Sequence, residues 1–222
     1  MPPRRQSPKK VEEIIISEQA SPSLIRITHA IPSAPNVDVI LDGRRVLSNV
    51  SYKTSSEYLE VRPCLHLVQL NITGTSKTVL QGRVSVNQGE SFTLIAHGDL
   101  AKNKISLLLL KDDNNCPVSG QARVRFVHAS YNAPHVNIYA NKTLNVFPNV
   151  GYGEAKVSNV PAGVYDLNVT PLNSSNIVLD VPNTEFKAGY VYTVIATGIL
   201  GDIKYPLTVI LNNDSQCMYI VL

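Results

Sequence analysis

The chain has 222 residues, of which 44% are hydrophobic and 17% charged, with a formal net charge of +3. That composition fills ordinary cores and excludes a wholly disordered chain, and no run reaches the roughly 18 apolar residues that a membrane-spanning helix needs. Arg4, Arg5, Lys9 and Lys10 carry four of the 20 basic charges within the first ten residues, leaving 16 basic against 17 acidic groups in a nearly neutral remainder.

Residues 1 to 22 begin "MPPRRQSPKK", three prolines among the basic residues, and are expected to form a disordered tail. Four charges offer only weak, salt-sensitive contact with nucleic acid or an anionic surface. The start lacks the apolar stretch of a signal peptide, so an intracellular or virion setting is expected over secretion. "VEEIIISE", Val11 to Glu18, reads as an extra edge strand or a docking segment. From residue 23 onward, alternation of period two takes over. In "LIRITHA", Ile25, Ile27 and His29 fall on one face and Arg26, Thr28 and Ala30 on the other, the mark of a half-buried strand. Further strands are predicted at Val37 to Leu41, Tyr58 to Val61, Leu65 to Ile72, Thr78 to Val86, Ser91 to His97 and Ile105 to Leu110, separated by turns such as "PSAPN", "DGR" and "NQGE".

The series then repeats. "IRITHAIPSAPNVDV" from Ile25 returns as "VRFVHASYNAPHVNI" from Val124, "SNVSY" as "PNVGY", "LNIT" as "LNVT", and "GESFTLIAHGDL" as "GYVYTVIATGIL". An offset near 100 residues gives two complete domains rather than a solenoid. No apolar pattern of period 3.6 persists, so the expected fold is all-β: two tandem antiparallel β-sandwiches of immunoglobulin-like or transthyretin-like type. Their predicted limits are 23–115 and 122–215, with a linker at 116–121. An apolar segment at 216–222 is expected to pair with a sheet edge or across a subunit interface.

A feature present in both copies builds each copy before it performs any reaction. His29, Pro35 and Tyr52 return as His128, Pro134 and Tyr152, and this repeated motif reads as structural, each histidine hydrogen-bonding the Ala-Pro loop that follows it. Asp38 becomes Asn137 and Asp42 becomes Asn141, which removes a paired-carboxylate mechanism. Asp112 and Asp113 read as part of a solvated inter-domain loop. The three cysteines, Cys64, Cys116 and Cys217, have no zinc spacing and read as reduced thiols, with Cys116 and Cys217 at matched positions. Six Asn-x-Ser/Thr sequons, at Asn49, Asn71, Asn141, Asn168, Asn173 and Asn213, read mainly as polar strand edges and turns. No catalytic residue, cofactor or metal site is predicted.

The paired "R(I/F)(T/V)HA…AP.V(D/N)(V/I)", the "NV.Y" of Asn49 to Tyr52 and Asn149 to Tyr152, the late strands Phe92 to Gly98 and Tyr192 to Gly198, and Asp112 to Asn114 resemble the domain-of-unknown-function 4397 family over residues 23 to 215. The resemblance implies small β-sandwich modules, common on bacterial secreted or surface proteins and without an established reaction. The expected function is a non-enzymatic structural or protein-interaction module, self-assembling into a homo-oligomer or docking a protein partner, for example as a virion or surface component. Its contacts are expected at Arg4, Arg5, Lys9 and Lys10 and at Tyr219, Ile220 and Val221. The alternative is a carbohydrate- or small-ligand-binding surface or adhesion module.

Overall fold

The computed structural model describes residues 22–113 and 115–217. Arg4, Arg5, Lys9, Lys10, Val11 to Glu18, Tyr219, Ile220 and Val221 lie outside the described residues. The first unit contains β1 (Ser23–His29), β2 (Val37–Leu41), β3 (Arg44–Val50), β4 (Thr54–Ser55), β5 (Leu59–Val61), β6 (Leu65–Ile72), β7 (Thr78–Ser85), β8 (Ser91–Asp99) and β9 (Lys104–Lys111). The second contains β10 (Gln121–His128), β11 (Val136–Ala140), β12 (Leu144–Val150), β13 (Ala155–Pro161), β14 (Gly163–Pro171), β15 (Leu179–Phe186), β16 (Tyr190–Thr197) and β17 (Thr208–Gln216). Among the described residues there is no helix.

Each unit is a sandwich of two sheets. The inner sheets run β4-β1-β8-β9, with β5 also on β1, and β13-β10-β16-β17; the outer sheets run β3-β2-β6-β7 and β12-β11-β14-β15. The pairings are antiparallel except one in each inner sheet, β1 with β8 and β10 with β16, which are parallel. Parallel pairing needs a long crossover, and here the entire outer sheet of each unit supplies it. Strand β3 lacked a readable pattern because two register shifts against β2 break its alternation and most of its side chains are exposed.

Alternation places Ile25, Ile27, Val39, Val68, Leu70 and Leu94 in the first core, and Val124, Phe126, Ile138, Phe147, Val169 and Val194 in the second. The opposite face of β1 is not solvated, however. Arg26 is 4% exposed, and Thr28 and Ala30 are fully buried, because the two inner sheets pack on each other. Between them lies a third apolar cluster, Ala30, Ile95, Val127, Ala129, Ile195 and Ile210. Strands β1, β8, β10 and β16, expected to be half-buried, are thus buried on both faces. A sequence pattern records which face is apolar, but small and polar residues are just as readily buried where a partner sheet satisfies them.

At the far ends of β8 and β16, Gly98 and Gly198 have φ of 126° and 99°, and a Cβ on either would lie 2.2 Å from the Lys104 or Pro206 carbonyl oxygen. Only glycine lets the chain turn that close to the neighbouring backbone.

Cys116 and Cys217 form a disulfide with a Cα–Cα distance of 5.6 Å, which corrects the reading of these thiols as reduced. Their matched positions past the last strand of each unit become neighbours once the units pack face to face. The bridge joins the start of the linker to the end of β17 across a separation of 101 residues, so it clamps one unit to the other. Cys64 is the one free thiol among the described residues. The unreduced, denatured protein is accordingly expected to take up one maleimide per chain and the reduced protein three. Cys217→Ser should lower stability by up to about 4 kcal/mol, measured by denaturant unfolding without reductant.

Candidate functional site

The strongest electrostatic feature lies in the interface between the units. Arg26 on β1 donates from Nη2 to Thr93 Oγ1 at 2.8 Å and to Asp214 Oδ1 at 2.5 Å. Arg125 on β10, its counterpart in the second copy, donates from Nε to Thr193 Oγ1 at 3.0 Å and from Nη2 to Asp112 Oδ1 at 2.5 Å. Each arginine thus binds a threonine of its own unit and a carboxylate of the other, an arrangement with pseudo-twofold symmetry. All four charged side chains are at most 7% exposed. Thr93 and Thr193 donate in turn to Asp112 and Asp214, and Tyr58 donates to Asp112 Oδ2 at 2.7 Å while its ring lies 4.7 Å from the Arg26 guanidinium.

Asp112 is therefore a buried ion-pair partner and not part of a solvated loop. Counted back from the matched Cys116 and Cys217, it falls opposite Asn213, one residue short of its structural equivalent Asp214. A register shift between Val191 and Tyr192 against β17 accounts for the difference: Val191 pairs with Ser215 and Tyr192 with Asn213, leaving Asp214 as the bulged residue. Burial lifts the Asp214 carboxyl above its ordinary value, against the pull of Arg26, Thr193 and Arg125.

The repeated motif residues surround the same interface. His29 Nε2 lies 3.3 Å from the Pro35 carbonyl oxygen and His128 Nε2 3.0 Å from that of Pro134, while Nδ1 of each ring accepts a backbone N–H, from Ile31 or Ser130. A neutral ring protonated on Nε2 satisfies both contacts, and burial holds both histidines below the usual imidazole range. Tyr52 packs edge-on between His29 and Tyr205. Tyr152 packs against His128 and bonds across the interface to His97 Nδ1 at 2.8 Å. His97 also contacts Ser106 Oγ at 3.1 Å, and burial drives its pKa down to about 4. In the second copy its place is taken by Thr197, which donates to the Ala30 carbonyl.

Cys64, His66 and Asp42 come together only in the first unit. His66 Nδ1 lies 2.6 Å from Asp42 Oδ2, a bond that holds the Asp42 carboxyl below its usual range. The sulfur, however, is 3.5 Å from Nε2 and 4.0 Å from Nδ1, which sets it over the ring and out of line with either N–H. Nε2 is already 2.7 Å from the Arg62 carbonyl. The trio therefore lacks the in-line thiol–imidazole bond of a nucleophilic dyad. No group of three potential metal ligands occurs among the described residues.

The open feature is on the outer sheet of the second unit. Outward-facing Asn137 and Tyr139 of β11 and Asn168 and Thr170 of β14 floor a cleft of about 740 Å³, rimmed by Lys142 and the 172–177 loop. Asn168 is fully engaged, accepting from Lys142 N at 2.8 Å and donating to Asp180 Oδ1 at 2.7 Å, so its sequon serves structure. Asn137 Oδ1 accepts from Asn149 N. Thr170 is 5% exposed and its Oγ1 has no hydrogen-bond partner. Sequence reasoning missed this site, because threonine and asparagine alternating on a strand look alike whether the face is open or covered.

Two sandwiches fused through their inner sheets define a tandem, all-β sandwich protein. The chain belongs to the family described as Domain of unknown function (DUF4397), whose profile matches residues 23–139 and 124–217. No curated protein sequence matches it. Among solved structures it is similar to a carbohydrate-binding module, CBMbc of family CBM26 from Eubacterium rectale Amy13K, in complex with maltoheptaose. The identity is 11%, the coverage 87% of this chain and 99% of that one, and the TM-score 0.29.

Two outcomes follow from the interface. Asp214→Ala strands Arg26 in a dry site and should cost about 3–5 kcal/mol in denaturant unfolding, with Asp112→Ala costing a similar amount by pseudo-symmetry. His97 has a folded pKa below its unfolded value of 6.5, so its contribution is complete above pH 6.5 and is lost as pH falls toward 4. His97→Thr, which installs the residue of the second copy, should remove about 3 kcal/mol of the stability lost over that window, read from unfolding curves at pH 7, 5.5 and 4.

Proposed function

We propose that the chain is a non-catalytic binding module that takes an uncharged, hydroxyl-rich ligand of the oligosaccharide class on the outer sheet of its second unit. The observation that carries this reading is the cleft over Asn137, Tyr139 and Thr170. A tyrosine ring beside amides and hydroxyls suits a sugar, whose C–H face packs on the ring while its hydroxyls meet polar groups at the edge. Lys142 is the only charged residue in the lining, which disfavours a strongly anionic or cationic ligand. The interface charges support the same reading, since Arg26, Arg125, Asp112 and Asp214 are spent on one another between the two units.

The expected result is saturable binding to at least one member of a panel of neutral gluco-, manno-, galacto- and xylo-oligosaccharides, seen by calorimetry and as a rise in melting temperature. Tyr139→Ala should abolish that response while leaving the ligand-free melting temperature within a few degrees of wild type, because the ring is only half buried on the outer face. A response to the panel that Tyr139→Ala leaves unchanged would move the site elsewhere.

A further inference from the structure

The two copies present the same outer-sheet positions in different states. In the first unit Asn71, opposite Asp38, stands where Thr170, opposite Asn137, stands in the second, and its Oδ1 accepts from Thr78 Oγ1 at 2.8 Å. Asp38 is saturated as well: Oδ1 accepts from Asn49 N at 2.9 Å and from Thr73 Oγ1, in the loop after β6, at 3.2 Å, and Oδ2 accepts from Arg45 Nη1 at 3.2 Å. Ile40 occupies the position of Tyr139. The first copy is thus closed by its own hydrogen bonds and offers no aromatic surface.

In the second copy the aspartate is Asn137, with one carbonyl oxygen to offer in place of two carboxylate oxygens, and that oxygen is taken by Asn149 N. Asn145 stands where Arg45 was, paired opposite Tyr139 as Arg45 is paired opposite Ile40. The Thr170 hydroxyl is left buried and unpaired at the floor of the cleft. Leaving a buried hydroxyl unsatisfied lowers stability, and an outward-facing group of this kind beneath a cleft is completed when a ligand supplies the missing partner.

We infer that Thr170 is the specificity-determining residue of the site, pairing its hydroxyl with a hydroxyl of the bound sugar, and that the exchange of Asp38 for Asn137 makes the second copy alone competent, so that each chain binds one ligand. This rests on the reading of the cleft as a saccharide site. A ligand lacking the matching hydroxyl would leave Thr170 buried and unpaired in the complex, and so is rejected.

The test compares Thr170→Val, Asn137→Asp and Thr73→Val in the full chain, each with and without the same neutral oligosaccharide panel. Without saccharide, Thr170→Val should leave the melting temperature unchanged or raised, since it removes an unpaired polar atom. Thr73→Val, which deprives Asp38 of a donor, should lower it by roughly 2–4 °C. With saccharide, wild type and Thr73→Val should bind with a stoichiometry of one, whereas Thr170→Val and Asn137→Asp should weaken binding about ten-fold or more, the loss of one hydrogen bond. The inference is overturned if Thr170→Val lowers the ligand-free melting temperature as Thr73→Val does, or if it binds the panel like wild type. Should wild type bind none of the panel at millimolar concentration, the saccharide reading itself fails and this inference falls with it; binding that ignores Thr170 would sink the inference alone.

Discussion

Two guanidinium groups held between two carboxylates, all four buried, fix how the halves of this molecule meet. Arg26 and Arg125 each find an aspartate on the opposite unit, so neither unit can satisfy its own buried charge alone. The cluster sums to no net charge, and every carboxylate also accepts from a threonine or a tyrosine. Desolvating four charges yields little net stability, but leaving any one of them unpaired is costly. The apolar cluster around Ile95 and Ile195 supplies attraction without direction, and the ion pairs supply the direction.

That constraint explains the distribution of change between the copies. The inner sheets, β4-β1-β8-β9 and β13-β10-β16-β17, are committed on both faces, one to the unit's own core and one to the other unit. The exchange of His97 for Thr197 shows the narrow latitude that remains there, since both bond across the interface with different partners. The outer sheets have one committed face only. On their free faces Asp38 has become Asn137, Ile40 has become Tyr139 and Arg45 has become Asn145, and a closed surface has become an open one.

Much of the architecture was legible because strand alternation and an internal repeat are local properties of the chain. All seven predicted strands of the first unit correspond to observed ones, and the sandwich class follows from them. The parallel pairing of β1 with β8 was not legible, since alternation carries no information on strand direction. Nor was the disulfide. Spacing alone cannot show that Cys116 and Cys217, 101 residues apart, stand 5.6 Å apart at their Cα atoms. The one-residue offset between Asp112 and Asp214 was hidden by a bulge, which a gapless alignment cannot register. Of the candidate site, the individual residues could be read but not their state: Thr73 and Thr170 close the matching LNIT and LNVT segments, yet strand register sets Thr170 opposite Asn137 where Asn71 lies opposite Asp38, and Thr170 lacks a partner.

The sequence by itself determined the two-fold repetition, the all-β class and which face of each strand is apolar, because these depend on residue type and spacing along one chain. Tertiary structure alone decided that Arg26, Thr28 and Asp112 are buried, that burial holds His29, His97 and His128 below the usual imidazole range and that the Thr170 hydroxyl lacks a partner. Burial and hydrogen-bond satisfaction are relations between segments far apart in sequence, and they exist only once the inner sheets have closed on each other.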